Sequence, residues 1–290
     1  MRSWKEFPND PGIAQYVDCY WFLEKSEGDT GPEYPKLNPD PAAHIIIASA
    51  EQAYHYEHDK YLAAGKGSHL ILPYGNTYTL DHAKPFCVLG IKLKAGALYS
   101  LPLITEHPLL NEIISLNIQQ QLHISASAEA ALITFSTAEA TDKNNDDRGE
   151  RLRDQLDALL QPLITLAKED KHSALVRKIL NLFEHTDLAD MALSDVGNKV
   201  ACSQRTVERS FSKVTGFTLK QYHSMQRLET MLEYLHKLSS QDINWSDIAL
   251  DFGFSDQPHL IRYLKSTMGS TPGQYAEARN LAIDVYGNFE

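Results

Sequence analysis

The sequence of 290 residues is poor in cysteine, in long apolar runs and in basic side chains. Its three scattered cysteines, Cys19, Cys87 and Cys202, form neither a disulfide framework nor a zinc-binding pattern, which is typical of a reducing compartment. The longest apolar run, residues 42–50, is far shorter than the roughly 20 residues that span a bilayer. Because the first residues also lack the apolar core of a secretion signal, we expect a cytoplasmic protein that does not enter a membrane.

Acidic side chains outnumber basic ones by 38 to 27, which gives a formal net charge of −11. As an average, this charge argues against a nucleic-acid binder, since Lys and Arg make most phosphate contacts. The charge is unevenly spread, however: residues 1–171 carry −9, residues 172–290 carry −2 and residues 199–279 carry +2. The acidic average therefore does not exclude DNA binding by the C-terminal part.

The chain length and the hydrophobic content of 43% predict two domains. The first hundred residues read as short strands separated by Pro and Gly, and the strand at residues 16–24 should place Val17, Cys19, Trp21 and Leu23 on one face. Helical patterns follow at residues 109–120, 126–138, 151–168 and 173–185, with a loop at residues 141–149. The predicted fold class is α+β. Residues 1–171 form a small β-sheet or barrel with trailing helices, and residues 172–290 form an all-α domain.

Leucines recur at helical spacing in residues 151–168. A leucine stripe of this kind packs in the core of its own chain or forms the seam of a dimer. Both alternatives stay open at this point, and a homodimer is one expectation.

The C-terminal part repeats itself at an offset of 53 residues, with six identities within 19 aligned positions. The identical pairs are Gln204 and Gln257, Arg209 and Arg262, Gly216 and Gly269, Thr218 and Thr271, Gln221 and Gln274, and Tyr222 and Tyr275. One supersecondary unit therefore occurs twice.

Each copy predicts a helix, a tight turn and a second helix, which is the helix-turn-helix layout. The two units are expected at about residues 193–215 and 243–268, and a long helix at about residues 218–239 joins them. About 21 helical residues span roughly 32 Å, close to the roughly 34 Å between successive major-groove segments.

The second helix of each unit has an apolar inner face and a polar outer face. The outer residues are Arg205, Thr206, Arg209 and Lys213 in the first copy, and Gln257, His259, Arg262 and Ser266 in the second, with Lys265 on or beside that face. Gln204, which matches Gln257 in the repeat, is a further candidate for DNA contact. Arg can pair with guanine and Gln with adenine through two hydrogen bonds each, although most exposed Arg side chains only face solvent.

Residues 173–279 resemble the AraC/XylS family of bacterial transcription regulators. The most specific stretch is Ile248-Ala249…Gly253-Phe254-Ser255-Asp256-Gln257-Pro258-His259-Leu260-Ile261-Arg262…Lys265…Gly269…Thr271-Pro272…Tyr275. The resemblance implies a seven-helix domain whose two second helices enter the major groove of promoter or operator DNA. The base-contacting residues that it implies are Arg205, Thr206, Arg209, Gln257, His259 and Arg262. It implies the same role for Glu208, whose carboxylate would accept a hydrogen bond from the cytosine N4 amino group. The resemblance also implies RNA polymerase as a partner. We expect activation of transcription, and repression stays an open alternative.

In sugar-responsive members of that family, the N-terminal region is a cupin-like barrel that binds the effector and dimerises. Here the histidines of the strand region, His44, His55, His58, His69 and His82, lack the cupin metal pattern, and neither a metal nor another cofactor is expected. The layout Trp21…Pro39-Asp40…His44-Ile45-Ile46-Ile47…Gly90-Ile91…Gly96 resembles an uncharacterised N-terminal domain of some regulators in the family. We expect this domain to bind a small-molecule effector, to dimerise, or both.

Two other functions compete with the effector-controlled regulator. An AraC-type unit also occurs in DNA-repair alkyl acceptors, which are enzymes that need a cysteine with a lowered pKa near a base. Alternatively, the N-terminal domain serves only to bind another protein, in which case it needs no enclosed pocket. The sequence contains no pattern of a hydrolase nucleophile or a phosphate-binding loop, so the expectation is a protein that is not an enzyme.

Overall fold

A computed structural model describes residues 2–59, 61–104, 110–122, 124–139, 146–185 and 192–283. The described residues form ten strands and ten α-helices, with single 3-10 turns at Ile13–Gln15, Ala97–Tyr99 and Leu193–Asp195. The strands are β1 Arg2–Glu6, β2 Val17–Lys25, β3 Lys36–Leu37, β4 His44–Ala48, β5 Ala53–His58, β6 Tyr61–Lys66, β7 His69–Ile71, β8 Tyr78–Leu80, β9 Phe86–Leu93 and β10 Ile113–Ser115. The helices are α1 Ile118–Gln121, α2 Ala126–Glu139, α3 Asp146–Thr165, α4 Lys171–Glu184, α5 Val196–Lys199, α6 Gln204–Thr215, α7 Leu219–His236, α8 Trp245–Asp251, α9 Gln257–Met268 and α10 Pro272–Ala278.

The strands form two antiparallel sheets. The larger has the order β1-β2-β9-β4-β7-β10, and the smaller has the order β3-β8-β5-β6. The predicted α+β class is confirmed, since a sheet-rich N-terminal part precedes an all-helical C-terminal part.

The six-stranded sheet is a central layer that is buried on both faces. In β4, Ile45 and Ile47 pack with leucines of α2 and α3, whereas Ile46 packs between the two sheets. A strand between two apolar layers has no polar face, which explains why residues 44–48 form an uninterrupted buried run. The sheet thus separates a helical layer from the smaller sheet.

The strand β2 corrects one sequence prediction. Its pairing with β9 shifts between Val17 and Cys19, as in a β-bulge. An extra residue reverses the alternation of side chains, so Val17 faces the helices while Cys19 and Trp21 face the smaller sheet. The expectation that Val17 shares a face with Cys19 is therefore wrong. On that face the Trp21 indole lies so close to Gly90 that a Cβ atom there would overlap it.

The leucine stripe of α3 belongs to the core of this chain. Leu152, Leu156, Leu160 and Leu163 are buried against the sheet. The buried carboxylate of Asp157 also ties α3 to the sheet, because it accepts hydrogen bonds from the Tyr20 hydroxyl (2.5 Å) and from the Asn9 and Asp10 amides (2.9 and 2.8 Å). The core alternative for the stripe is the one that the structure supports.

Three boundaries differ from the sequence predictions. The helix expected at residues 109–120 is instead strand β10 followed by the short α1, because the Ile113 and Ile114 backbone pairs with strand β7; residue 109 lies outside the described residues. Helix α3 begins at Asp146, inside the loop expected at residues 141–149, of which residues 141–145 lie outside the described part. Helix α5 ends at Lys199, and Ala201 follows in the left-handed conformation with φ of 55°.

A buried ionic cluster joins the central sheet to α7. The Lys92 ammonium lies 2.9 Å from Asp40 Oδ2 and 3.6 Å from Glu229 Oε1 on α7, and His44 Nε2 lies 3.1 Å from Asp40. Burial would raise the pKa of Asp40, but the charge of Lys92 and the hydrogen bond from His44 outweigh it and hold that pKa well below its usual range. Burial dominates at Glu229 and raises its pKa. Charged side chains of the central sheet and of α7 therefore compensate one another within one cluster.

Gly253 lies in the turn of the second unit in the left-handed conformation, with φ of 70°. Gly253→Ala should lower the free energy of unfolding by about 1 kcal/mol through backbone strain alone, since the nearest atom to a new Cβ is 3.8 Å away. In contrast, Gly273→Ala in α10 should raise that free energy by about 0.5 kcal/mol. Urea unfolding measures both changes, and a shift of the same sign in the two variants would contradict this interpretation of the turn.

Candidate DNA-binding surface

Two units of the predicted layout are present in the C-terminal part. In the first, α5 precedes α6, and the Ser203 side chain caps α6 by accepting from the Thr206 amide. In the second, α8 precedes α9, and Asp256 caps α9 by accepting from the His259 amide. Val207, Phe211 and Val214 bury the inner face of α6, and Leu260, Leu264 and Met268 bury that of α9. The outer faces of two twelve-residue helices are thereby left to solvent.

The structure explains four of the six repeated pairs of residues by their role in the fold. Gly216 and Gly269 end α6 and α9 in the left-handed conformation, with φ of 80° and 67°. The other three of these four pairs cap the helix that follows or are buried in its core. Thr218 with Gln221 and Thr271 with Gln274 form capping boxes at α7 and α10, while Tyr222 and Tyr275 are buried in the two helical cores.

The fifth repeated pair, Gln204 and Gln257, also makes hydrogen bonds within the fold. Gln204 Nε2 donates to the Leu193 carbonyl (3.2 Å), and its Oε1 accepts from the Gly197 amide (3.3 Å). Gln257 Oε1 accepts from the Ser246 hydroxyl on α8 (3.3 Å). In each unit the glutamine at the start of the second helix therefore binds back to the first helix or to the turn before it.

The repeated arginines are different. Arg209 and Arg262 are exposed, as are Arg205 and Lys265. Among the described residues, these four side chains have no hydrogen-bond or ion-pair partner. Four cationic groups on the outer faces of α6 and α9 are thus available to an anionic ligand.

The other predicted contact residues are engaged locally. The Thr206 hydroxyl lies 2.8 Å from that of Ser203, and Glu208 accepts from Gln204 Nε2 (3.3 Å). His259 Nδ1 lies 3.2 Å from the Ser255 hydroxyl. Lys213 turns away from α9, with its ammonium 5.5 Å from the centre of the Tyr99 ring and 3.7 Å from Asp170.

Arg227 is a positioning residue that the sequence prediction missed. Its guanidinium lies 4.1 Å from the Phe254 ring centre, and Nη1 donates to the Gly253 carbonyl (3.2 Å). These contacts hold the turn of the second unit against α7. The partners are 26 residues apart in sequence, so no local pattern could indicate the contact.

The connecting helix α7 has 18 residues, which at 1.5 Å per residue gives a length of about 27 Å. This is shorter than the roughly 32 Å expected from the sequence, because the helix ends at His236. Helix α7 alone is therefore shorter than the roughly 34 Å between successive major-groove segments.

Two searches of the described residues were negative. No group of three or more His, Cys, Asp and Glu side chains in those ranges is arranged to hold a metal ion. No helix of the described part is long and apolar enough to cross a membrane.

Comparison with known families assigns the two parts separately. Residues 196–278 match the family described as helix-turn-helix domain. Residues 5–115 match a domain of unknown function, DUF6597. The fold, the repeated units and the first match define a DNA-binding transcription regulator of the double helix-turn-helix class.

Curated relatives make the assignment more specific. The chain is 32% identical to the transcriptional activator NphR of Rhodococcus over 120 residues, 41% of this chain and 35% of NphR. It is also 32% identical to the Tn10 TetD protein of Escherichia coli over 114 residues, 39% of this chain and 80% of TetD. The HTH-type transcriptional activator RhaS of Klebsiella pneumoniae is 22% identical over 252 residues, 82% of this chain and 86% of RhaS. The chain belongs to the AraC/XylS family of transcription regulators.

A solved structure shares the whole architecture. ToxT from Vibrio cholerae superposes with a TM-score of 0.53 at 11% identity, over 99% of this chain and 100% of ToxT. At this identity the likeness establishes the fold of both parts and nothing more.

Gln204 and Arg205 are neighbours in sequence, but Gln204 makes hydrogen bonds within the fold and Arg205 is exposed. Substituting each residue should therefore separate an effect on stability from an effect on the surface alone. Gln204→Ala should lower the free energy of unfolding by about 1–2 kcal/mol, because it removes hydrogen bonds between α6 and the residues before it. Arg205→Ala should change it by less than about 0.5 kcal/mol. Urea unfolding of both variants checks this, and equal losses would show that the exposed arginine also supports the fold.

Proposed function

We propose that the chain is a sequence-specific regulator that reads adjacent major-groove segments of double-stranded DNA with α6 and α9. The pair Arg209 and Arg262 carries this proposal. The fold uses the five other repeated pairs, whereas these two arginines are exposed and have no partner in the described part. A guanidinium in this position can donate two hydrogen bonds to guanine O6 and N7.

The proposed surface extends around these two arginines. Arg205 and Lys265 add positive charge beside them, and Thr206, Glu208 and His259 lie on the same two helices. Gln204 and Gln257 support the units from within. Lys213 would reach the DNA only after leaving Tyr99 and Asp170.

The weak charge of the C-terminal part favours readout of bases over bulk attraction. Residues 199–279 carry a net charge of only +2, so nonspecific affinity should be modest. Specific binding then depends on base contacts, or on a second copy of the chain in a homodimer.

The N-terminal part is the proposed sensor of a small-molecule effector. A cleft of about 440 Å³ lies between the sheet and helices α4 and α7, and its lining includes Lys92, Arg177 and Glu229. A second cavity of about 80 Å³ lies between the two sheets. A cleft and a cavity of this kind favour a sensor over a domain that only binds another protein. Two relatives named as activators, NphR and RhaS, support activation of transcription. RNA polymerase as a partner and a cytoplasmic location belong to the same proposal.

The alkyl-acceptor alternative finds no support at Cys19. Burial raises the pKa of this thiol to about 12, whereas a nucleophilic cysteine needs a lowered pKa. We therefore propose that the protein is not an enzyme.

The contact residues can be tested on a duplex selected in vitro from random sequences with the full chain. Arg209→Ala and Arg262→Ala should each weaken specific binding by about 1–3 kcal/mol, through loss of a bidentate base contact. Arg151→Ala, at an exposed position of α3, is the matched control and should bind as the wild type does. Fluorescence anisotropy measures the affinities.

Arg209→Lys extends this test because it keeps the charge and removes the planar fork. Selection repeated on this variant should relax the preference at one base position. Wild-type affinity in both alanine variants would contradict the proposed reading surface.

We also propose that the C-terminal part folds alone, with a start before the predicted boundary of residues 171 and 172. Asp170 caps α4 by accepting from the His172 and Ser173 amides. A fragment of residues 169–290 should therefore be helical and bind the selected duplex, and one of residues 172–290 should be less stable by about 1 kcal/mol. Circular dichroism and anisotropy test both fragments; an unfolded longer fragment would contradict the proposal.

A further inference from the structure

The cavity between the two sheets is aromatic and mostly uncharged. Trp21, Tyr54, Tyr56, His69 and Phe86 are among its lining residues. The one carboxylate in the lining, Asp81, is exposed and accepts from the Ala83 amide. The cavity therefore suits an apolar or aromatic molecule without charge.

The buried polar side chains in the cavity lining are His69 and His44, and His44 is held by Asp40. The Nδ1 of His69 lies 3.0 Å from the Gly67 carbonyl and its Nε2 lies 2.7 Å from the Tyr56 hydroxyl, so both ring nitrogens are satisfied inside the protein. Burial lowers the pKa of His69 to about 4, which leaves the ring neutral near pH 7. No lysine or arginine is among the lining residues, so an anionic ligand would find no permanent positive charge there.

One wall of the cavity comes from the other end of the chain. Ala282, four residues beyond α10, is fully buried among the side chains between the sheets and lines the cavity. Its neighbours Leu281 and Ile283 are buried in the core of the second helix-turn-helix unit. The tail, residues 280–283, therefore belongs to both cores.

The strand β3 holds this tail and also the end of α9. The Lys36 amide donates to the Asn280 carbonyl (2.7 Å), and Lys36 pairs with Leu281 as in a parallel sheet. The Lys36 ammonium reaches the Ser270 hydroxyl (3.2 Å), and on the neighbouring β8 side Thr77 Oγ1 donates to the Thr267 carbonyl at the end of α9 (2.8 Å). The wall of the cavity and the second recognition helix thus depend on the same edge of the sheet.

Because the cavity is small, its occupation by a ligand is coupled to movement of this tail. A volume of about 80 Å³ is roughly half of the 150 Å³ that admits benzene in a protein interior. An aromatic ring can enter only if part of the wall withdraws. Most of the other lining residues belong to strands of the two sheets or to the turns beside them, whereas Ala282 lies on a short tail that a bridge from Leu281 joins to β3.

We propose that the cavity binds a small uncharged aromatic molecule, and that its entry displaces Ala282 and loosens the second helix-turn-helix unit from β3. This deepens the proposed function, because it rests on the N-terminal part being a sensor and names its ligand class and its route to α9. Binding and tail displacement can both be measured without DNA, so their failure is distinguishable from failure of the DNA-binding proposal.

The binding test uses toluene, phenol and benzaldehyde as probes on the full chain, with benzoate as the charged comparison. Titration calorimetry should detect at least one neutral probe and no benzoate. Ala282→Gly should bind that probe roughly fourfold more tightly, the equivalent of one methyl group of extra room. Ala278→Gly, at an exposed site of α10, is the matched control and should bind as the wild type does. Absence of binding by all three neutral probes, or tighter binding of benzoate, would overturn the proposed ligand class.

The displacement test measures hydrogen exchange at the Lys36 amide, which donates to the tail. Saturation with the bound neutral probe should accelerate exchange at Lys36 at least tenfold and should also accelerate it in residues 280–283. Exchange at the Ile45 amide in the middle of the central sheet should stay constant. Binding that leaves the Lys36 exchange rate unchanged would overturn the proposed role of Ala282.

Discussion

The arrangement of the two recognition helices depends on one helix that is buried in two cores at once. The first part of α7 packs Leu219 and Tyr222 against α6, and its second part packs Leu228, Met231 and Leu235 against α9. Because both sets of side chains project from one continuous helix, neither unit can rotate about it without unpacking its own core. The outer faces of α6 and α9 are therefore fixed relative to each other by apolar burial and not by a contact between them.

The N-terminal part adds three further constraints to this assembly. It holds Lys213 of the first unit through Tyr99, it binds Glu229 of α7 through Lys92, and it holds the end of α9 through Thr77. Lys92 is buried and also pairs with Asp40, so loss of the Lys92 ammonium would leave the buried Asp40 carboxylate without its main counter-charge. The N-terminal part therefore contacts all three helices that orient the DNA-binding surface.

Much of this architecture follows from local patterns. The apolar spacing of α6, the Pro258 start of α9 and the offset of 53 residues were sufficient to predict two units and a connecting helix. The sequence could not predict what depends on distant partners: the pairing that makes β10 a strand, the bulge at Val17, or the contact between Arg227 and Phe254. Gln204 and Gln257 show the same limit, since an amide that binds back into the fold and one that faces DNA have the same spacing.

The two outer faces share an arginine and differ almost everywhere else, with Thr206 and Glu208 on one and Pro258 and His259 on the other. A repeat that keeps its caps and varies its surface offers two unlike faces. If both faces contact the duplex as proposed, a single copy of the chain has a polarity on the DNA, because reversing the duplex would exchange the two halves. One polypeptide would then set its orientation on a promoter without the palindrome that a symmetric dimer needs.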